Sequence, residues 1–278
     1  MENSTSKKSV SVLGCGWLGL PLARHLLQNG FKIKGSTTSP EKLALLKKTG
    51  IEPFLIQLSD GGDYSQLSDF LTSDILIVNY PPGVRKGGAE QFRNSFGILL
   101  DSVAKSLVGK IIYISSTSVY PNTNEVVSEE MQLLPDSEAG KVLLDAEDRL
   151  RKLDGKEVII LRMAGLIGHD RQPARFFAGK KGLANGEELV NLIHRDDCVN
   201  IIHKMIEGQA SGDTFNCCSD THPPKRDFYT KASEVLGIVL PQFAASDVTS
   251  FKIVSNEKLK SQLKYNFIYG DLTKFDWP

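Results

Sequence analysis

One stretch constrains this chain more than any other: Val10-Ser11-Val12-Leu13-Gly14-Cys15-Gly16-Trp17-Leu18-Gly19. Apolar Val10, Val12 and Leu13 read as a short buried strand. Gly14, Gly16 and Gly19 follow in the spacing G-x-G-x-x-G. A helical pattern opens at once, with Leu18, Leu22 and Leu26 at a spacing of four and Ala23 and Leu27 beside them. Strand, glycine turn and helix in this order give the motif its structural context. Gly14 permits a tight turn, Gly16 lets the backbone approach a pyrophosphate, and Gly19 lets helix and strand pack closely. Free N–H groups and the helix dipole then favour phosphate. The backbone from Gly14 through Cys15, Gly16, Trp17 and Leu18 to Gly19 is the predicted cradle of a dinucleotide. The alternative is a glycine-rich turn with no ligand.

Composition narrows the class. The 278 residues are 41% hydrophobic and 24% charged, ordinary values for a globular protein. Lys+Arg and Asp+Glu both total 33, so no basic excess argues for a nucleic-acid surface. No apolar run approaches the roughly 20 residues of a membrane span. Met1 to Ser9 is polar, reads as a frayed tail and lacks the apolar core of a secretory signal. Cys15, Cys198, Cys217 and Cys218 show no metal-ligand spacing. Reduced thiols in a cytoplasmic protein are expected, with no metal and no membrane or nucleic-acid partner.

Further strands and helices alternate along the chain. Asn29-Gly30 closes the first helix, and Phe31 to Ser36 forms a second strand. A helix over Pro40–Lys48 leads to a third strand at Glu52–Leu58 and a polar loop at Ser59–Asp63. Asp74–Val78 is continuously apolar after its first residue, as in a strand buried on both faces. It ends in Asn79-Tyr80-Pro81-Pro82-Gly83, a rigid loop at the edge where open α/β sheets bind ligands. Asn79, Tyr80 and Pro81 are therefore candidate cofactor contacts. Gly87-Gly88 precede a helix to about Lys105, and Lys110–Ile114 is a fifth strand. This regular alternation predicts right-handed crossovers and a doubly wound parallel sheet, the α/β Rossmann architecture.

The second strand bears on the cofactor. An Asp or Glu roughly 20 residues after the glycines accepts from a ribose 2′-OH. Here the chain has Gly35-Ser36-Thr37-Thr38-Ser39. No carboxylate stands at the strand tip to repel a 2′-phosphate. The hydroxyls, Thr37 and Thr38 among them, could bond that phosphate, and Lys42 could add charge. NADP is favoured over NAD. The same hydroxyls could instead cap the helix that begins at Pro40.

The fifth strand runs into Ser115-Ser116-Thr117-Ser118-Val119-Tyr120. A helix then starts at Pro135-Asp136, with Val142, Leu143, Ala146, Leu150 and Leu153 inward. Lys141 follows Ser137 at a spacing of four, which puts both on one side of that helix. Leu161-Arg162-Met163-Ala164-Gly165-Leu166-Ile167-Gly168 and Ile193-His194-Arg195-Asp196-Asp197 are two further blocks. With the glycine turn, these segments resemble the short-chain dehydrogenase/reductase superfamily. The likeness is to its extended branch of nucleotide-sugar epimerases and dehydratases, and most of all to atypical epimerase-like members. It runs over nearly the whole chain.

The resemblance implies several roles. Counting back from Val119 puts the family's catalytic hydroxyl on Ser116, with Thr117 helping to orient a substrate oxygen. Met163, Ala164 and Gly165 would flank the nicotinamide, and Lys141 would hold the cofactor ribose. The Ile-His-x-x-Asp block is largely architectural in the family. It also implies a smaller substrate lobe after the sixth strand, Lys156–Leu161. The domains expected are 1–168 for the dinucleotide, completed by about 194–218, and 169–278 for the substrate lobe.

Departures from the pattern matter too. Extended members carry G-x-x-G-x-x-G, whereas this chain has the G-x-G-x-x-G of atypical members. If Lys141 ends the family's Tyr-x-x-x-Lys, the tyrosine position is Ser137. The family's Lys⁺ and nicotinamide lower that phenol from about 10 towards neutrality, and a serine hydroxyl is far less acidic. Tyr80 could substitute, or pack as an ordinary tyrosine, and Tyr120 reads as structural. Arg171 and Arg175 could meet an anionic substrate or stand exposed. His194 and His203 read as structural histidines. Lys252, Lys258, Lys260 and Lys264 read as lobe surface. A helix at Asp196–Glu207, a strand at Gly212–Cys217 and a helix from His222 to about Leu236 complete the reading. The expectation is a monomeric or homodimeric oxidoreductase or epimerase-like enzyme for a polar small molecule, a nucleotide sugar being one class. The competing readings are a cofactor-binding sensor or regulator without dehydrogenase activity and, more weakly, a module for a different ligand.

Overall fold

The computed structural model describes residues 8–58, 62, 64–83, 88–132, 134–208, 212–245 and 250–275. Most of the predicted N-terminal tail, nearly all of the Ser59–Asp63 loop and Gly87 lie outside these. The strands are β1 (Ser9–Leu13), β2 (Lys32–Thr37), β3 (Glu52–Leu55), β4 (Ile75–Val78), β5 (Lys110–Ser116) and β6 (Val126–Val127). They continue with β7 (Glu157–Met163), β8 (Gly165–Ile167), β9 (Leu192–His194), β10 (Thr214–Cys217) and β11 (Ile253–Val254). The helices are α1 (Gly19–Gln28), α2 (Leu43–Lys48), α3 (Leu67–Phe70), α4 (Ala89–Ala104), α5 (Glu138–Arg151), α6 (Arg195–Ile206), α7 (Lys225–Val235) and α8 (Glu257–Leu263). None of the described helices is long and apolar enough to cross a membrane.

Seven strands form one sheet in the order β10-β7-β5-β4-β1-β2-β3. β1 pairs in parallel with β2 and β4, β2 with β3, and β4 with β5. The winding reverses between β1 and β4, so this is the doubly wound Rossmann sheet with its switch point at the glycine turn. β4 is buried at all four positions and β1 at every position after Ser9. That follows from a parallel sheet covered on both faces. Ser11 enters this core because its hydroxyl bonds the Phe70 carbonyl and, at 2.6 Å, the Ser73 hydroxyl. α1 turns Leu22, Ala23 and Leu26 inward, as its spacing predicts, and Gly30 at φ +83° carries the chain out of it.

The chain forms two compact units. The first comprises Met1–Ser115, Glu138–Leu161 and Ile202–Thr214 and holds most of the large sheet. The second comprises Ser116–Ser137, Arg162–Ile201 and Phe215–Pro278. The division differs from the expected boundary at residue 168. The chain leaves the first unit near the carboxyl ends of β5 and β7 and at the first residue of β10 instead, so Ser116 and Arg162–Gly168 belong to the second. In the second unit β8 pairs with β9 and β6 with β11, both in parallel. Its core gathers Ile167, Val190, Leu192, Phe228, Tyr229 and Leu272, with Phe177, Phe243 and Phe275 packed on them.

Several elements correct the sequence reading. β3 stops at Leu55 rather than Leu58, and a 3₁₀ turn at Pro40–Lys42 precedes α2. α5 starts at Glu138, so Ser137 precedes the helix and the spacing of four to Lys141 is not helical throughout. Asp136, ahead of the helix, accepts a hydrogen bond from the Asn122 N–H at 3.2 Å. The tail is more than surface. β11 and α8 form there, with Leu259, Leu263, Tyr265 and Leu272 buried.

Candidate functional site

The glycine turn of the first unit is fixed from three sides. Gly14 stands at φ +97°, a conformation that favours glycine, and its N–H donates to the Ser36 hydroxyl at 2.9 Å. The Asn79 amide donates to the Gly14 carbonyl at 2.9 Å. A Cβ on Gly14 would lie 2.4 Å from the Asn79 carbonyl oxygen, and one on Gly19 would lie 2.1 Å from the Gly14 carbonyl oxygen. The turn is thus pressed against the end of β4 and the start of α1. Gly16 is different. It is exposed, and a Cβ there would meet no described atom within 4 Å. α1 begins with no side-chain cap and no acidic residue in its first turn. Its leading N–H groups and positive dipole end therefore suit an anion rather than a capping side chain.

The side chains around this turn divide into two kinds. Cys15 and Leu18 are buried, so only their backbones could serve a ligand. The Cys15 N–H donates to the Ser36 carbonyl at 2.8 Å, and burial pushes its thiol up to about 12. Trp17 is half-buried. Ser36 is 2% exposed, and its hydroxyl oxygen serves Gly14. Thr37 is buried too, and its hydroxyl oxygen accepts from the Ser39 N–H at 3.1 Å. Both therefore have hydroxyl oxygens engaged with backbone, while Thr38 and Lys42 are exposed at this end of β2. Asn79 has a role the sequence did not show: it ties the end of β4 to the turn. The Tyr80 phenol donates to the Leu58 carbonyl at 3.3 Å, and its ring stacks on Phe92. That arrangement fits a packing tyrosine better than a substitute acid. Pro81 and Lys141 are exposed.

The hydroxyl cluster leads into the second unit. Ser115 is the last residue of the first unit, and its hydroxyl donates to Glu147 at 2.6 Å. Glu147 is fully buried on α5 and also accepts from Arg151 at 3.1 Å, a pairing absent from the sequence reading. Ser116 caps the next 3₁₀ turn, its oxygen accepting from the Ser118 N–H at 3.1 Å. Among the described residues its own proton has no acceptor, which leaves it for a ligand oxygen. Tyr120 is buried and structural. Its phenol donates to the Asn216 side-chain oxygen and accepts from Arg162, both at 2.8 Å. Arg162 is itself only 2% exposed. Met163 and Ala164 are buried, while Gly165 is exposed and donates to the Asn191 carbonyl at 3.0 Å.

Ser116, Thr117 and Ser118 line a cavity of about 430 Å³ wholly within the second unit. Its lining also includes Glu188, Lys225 and Lys252. Tyr229 also lines it, and burial raises that phenol to about 12, with Glu188 adding to the effect. Lys252 corrects the reading of the tail lysines as surface. It is half-buried, and its ammonium donates to the Tyr120 carbonyl at 2.5 Å. Apolar Phe251 and Ile253 on either side were the only sequence signal of that burial. Arg171 and Arg175 are exposed.

Among the described residues, one group of three has donor atoms close enough for a metal: His169, His194 and Asp196. These groups already serve one another. His169 bonds Asp196 at 2.8 Å, and the His194 Nδ1 accepts the Asp196 N–H at 3.2 Å. The other His194 nitrogen is buried against Gly168, where a Cβ would lie 2.1 Å away. The arrangement reads as a packed joint rather than an ion site.

Comparison with known proteins fits this geometry. The chain is 34% identical to Protein YeeZ of Escherichia coli K12 over 270 residues, covering 95% of this chain and 97% of that one. The chain belongs to the YeeZ family. No family model matches the sequence. A functionally unknown conserved protein from Silicibacter pomeroyi superposes with a TM-score of 0.79 at 22% identity, covering 96% of this chain and 95% of that one. A short-chain dehydrogenase/reductase superfamily protein from Agrobacterium tumefaciens, with bound NAD, gives 0.75 at 19% identity and covers 96% and 94%. UDP-glucuronic acid 4-epimerase from Bacillus cereus, in complex with NAD, gives 0.77 at 19% identity and covers 96% and 95%. This YeeZ relative therefore has the fold of the short-chain dehydrogenase/reductase and NAD-dependent epimerase proteins.

Proposed function

We propose that the protein is an NAD(P)-binding, epimerase-like oxidoreductase acting on a polar small molecule, with nucleotide sugars the first class to test. The observation that carries the reading is the open cradle at Gly16. The turn is held rigid by Asn79 and Ser36, its middle glycine faces free space, and the helix behind it has no cap. A pyrophosphate fits these features, because backbone donors aimed at a helix mouth bind anions without a lysine or arginine. NAD bound to the A. tumefaciens and B. cereus proteins of this fold supports a nicotinamide cofactor.

In this reading the nicotinamide supplies hydride exchange when bound. The chain's own part is positioning. Gly16, Trp17 and Leu18 offer backbone N–H groups to the phosphates. Ser116 donates its free hydroxyl proton to a substrate oxygen, and Thr117 stands beside it on the same cavity wall. Lys141 would reach the ribose hydroxyls from α5. NADP is the preferred form, because exposed Thr38 and Lys42 stand at the end of β2, where no carboxylate repels a 2′-phosphate. Four free, buried cysteines suit the reducing cytoplasm, with the protein a monomer or homodimer.

A second reading, a cofactor-responsive sensor, draws on one observation. Ser137 occupies the family's tyrosine position, is exposed and lies ahead of α5. Calorimetric titration with NADPH and NADH, followed by turnover assays on a panel of nucleotide sugars, separates the readings. Binding with turnover supports the enzyme. Binding without turnover across the panel favours the sensor, and absence of binding removes both.

A further inference from the structure

We propose that the cavity of the second unit holds a ligand carboxylate against the Lys252 ammonium, so that the small molecule this protein takes is an acid. The inference rests on the polar-ligand reading above and makes it specific.

The charge in the cavity is unevenly matched. Its charged lining groups are Glu188, Lys225 and Lys252. Lys225 and Glu188 form an ion pair at 3.3 Å and cancel. Lys252 is left over. Among the described residues its ammonium donates once, to the Tyr120 carbonyl. Among the described residues no carboxylate lies within ion-pair distance of it. An ammonium has three protons, so two remain to be satisfied. The group is half-buried, and that burial lowers its pKa, while the charges of Asp136 and Glu188 act the other way. A partly desolvated cation gains more from an opposing charge than an exposed one does.

The neutral donors point the same way. The Ser116 oxygen accepts from the Ser118 N–H, and among the described residues its hydroxyl proton meets no acceptor. Thr117, which is buried, and Ser118 belong to the same lining. A carboxylate is acceptor-only and can take several such bonds at once. Lys252 is the lining cation with no ion-pair partner among the described residues, and, with Asp136 outside the lining already meeting part of its charge, it matches a monoanion at most. A phosphate dianion would leave a negative charge facing Glu188, and a neutral ligand would leave the ammonium short of partners.

The test compares UDP-glucuronic acid with UDP-glucose, which differ by a carboxylate against a hydroxymethyl group. The full chain is titrated with each by calorimetry, with and without NADP. The acid should bind at least about tenfold more tightly, as expected for one charge-assisted contact. Lys252→Met should erase the difference and Lys252→Arg should keep it. The preference should also fade at alkaline pH as Lys252 loses its proton, with Asp136, Glu188, Lys225 and Tyr229 the titratable groups around it. A measurement on the unaltered protein covers a variant that fails to fold: UDP-glucuronic acid should slow acetylation of Lys252, and UDP-glucose should not. Equal affinities, no binding of either probe, or undiminished preference in Lys252→Met would overturn the inference. NADP binding is read in the same samples. Loss of preference with NADP bound sinks this inference alone, whereas failure to bind NADP sinks the cofactor reading and leaves the probe comparison readable.

Discussion

Replacing Gly16 with alanine should separate the ligand from the fold. A Cβ at this position meets no described atom within 4 Å, so the folded chain has room for it. Alanine also narrows the unfolded ensemble, which is worth about 0.4–1 kcal/mol where the native backbone suits it. In a chain of this size about 1 kcal/mol moves Tm by about 2–4 °C, so Tm should hold or rise by up to about 4 °C. The methyl instead occupies the space into which a pyrophosphate would come. Loss of one hydrogen bond to a charged group costs about 1.5–3 kcal/mol, or roughly 10- to 150-fold in Kd. Gly14→Ala supplies the contrast. It forces alanine to φ +97° and puts a Cβ 2.4 Å from the Asn79 carbonyl oxygen. Strain of about 1–2 kcal/mol and overpacking of about 1–3 kcal/mol together give roughly 2–5 kcal/mol. That corresponds to a fall of roughly 4–20 °C in Tm. Thermal melts and NADPH calorimetry on the two variants read both effects. A Gly16→Ala protein that binds NADPH like the unaltered chain would refute the reasoning, as would a Gly14→Ala protein with unchanged Tm.

Other consequences follow from the buried polar groups. Tyr120→Phe strips Asn216 and Arg162 of a buried partner and should cost about 1–3 kcal/mol in urea unfolding, with NADPH affinity unchanged. Glu147→Ala removes the acceptor of both Ser115 and Arg151 and should cost a similar amount, about 1–3 kcal/mol, visible as a lower Tm. Burial lowers the His194 imidazole from 6.5 to about 4. Its folded pKa lies below its unfolded one, so the stability it gives is complete above 6.5 and is lost as pH falls through about 4. Urea midpoints should therefore drop between about pH 7 and about pH 4.5, and His194→Gln should flatten that part of the profile.

The parts legible in the sequence are those set by local pattern. Apolar residues at Val10, Val12 and Leu13 announced β1, a continuous apolar run announced β4, and the glycine spacing located the turn at the sheet's switch point. Helix α1 was readable from leucines at a spacing of four. The parts not legible depend on partners far along the chain. Asn79 meets Gly14 only because β4 lies beside β1. Ser36 and Thr37 looked free, but their oxygens serve nearby backbone N–H groups. Lys252 looked like surface because the pairing of β11 with β6, which sets its position, is a two-residue ladder with no periodic signature. Ser137 and Lys141 matched a helical spacing, yet the helix expected from Pro135-Asp136 starts at Glu138, and the Asp136 carboxylate accepts from the distant Asn122 N–H. Local periodicity cannot reveal a bond of that kind.

The most direct measurement is a crystal structure after soaking with NADP. The account places the pyrophosphate within hydrogen-bond reach of the backbone N–H groups of Gly16, Trp17 and Leu18, at the mouth of α1. Dinucleotide density anywhere else, or none at saturating NADP with that turn accessible in the lattice, would contradict it.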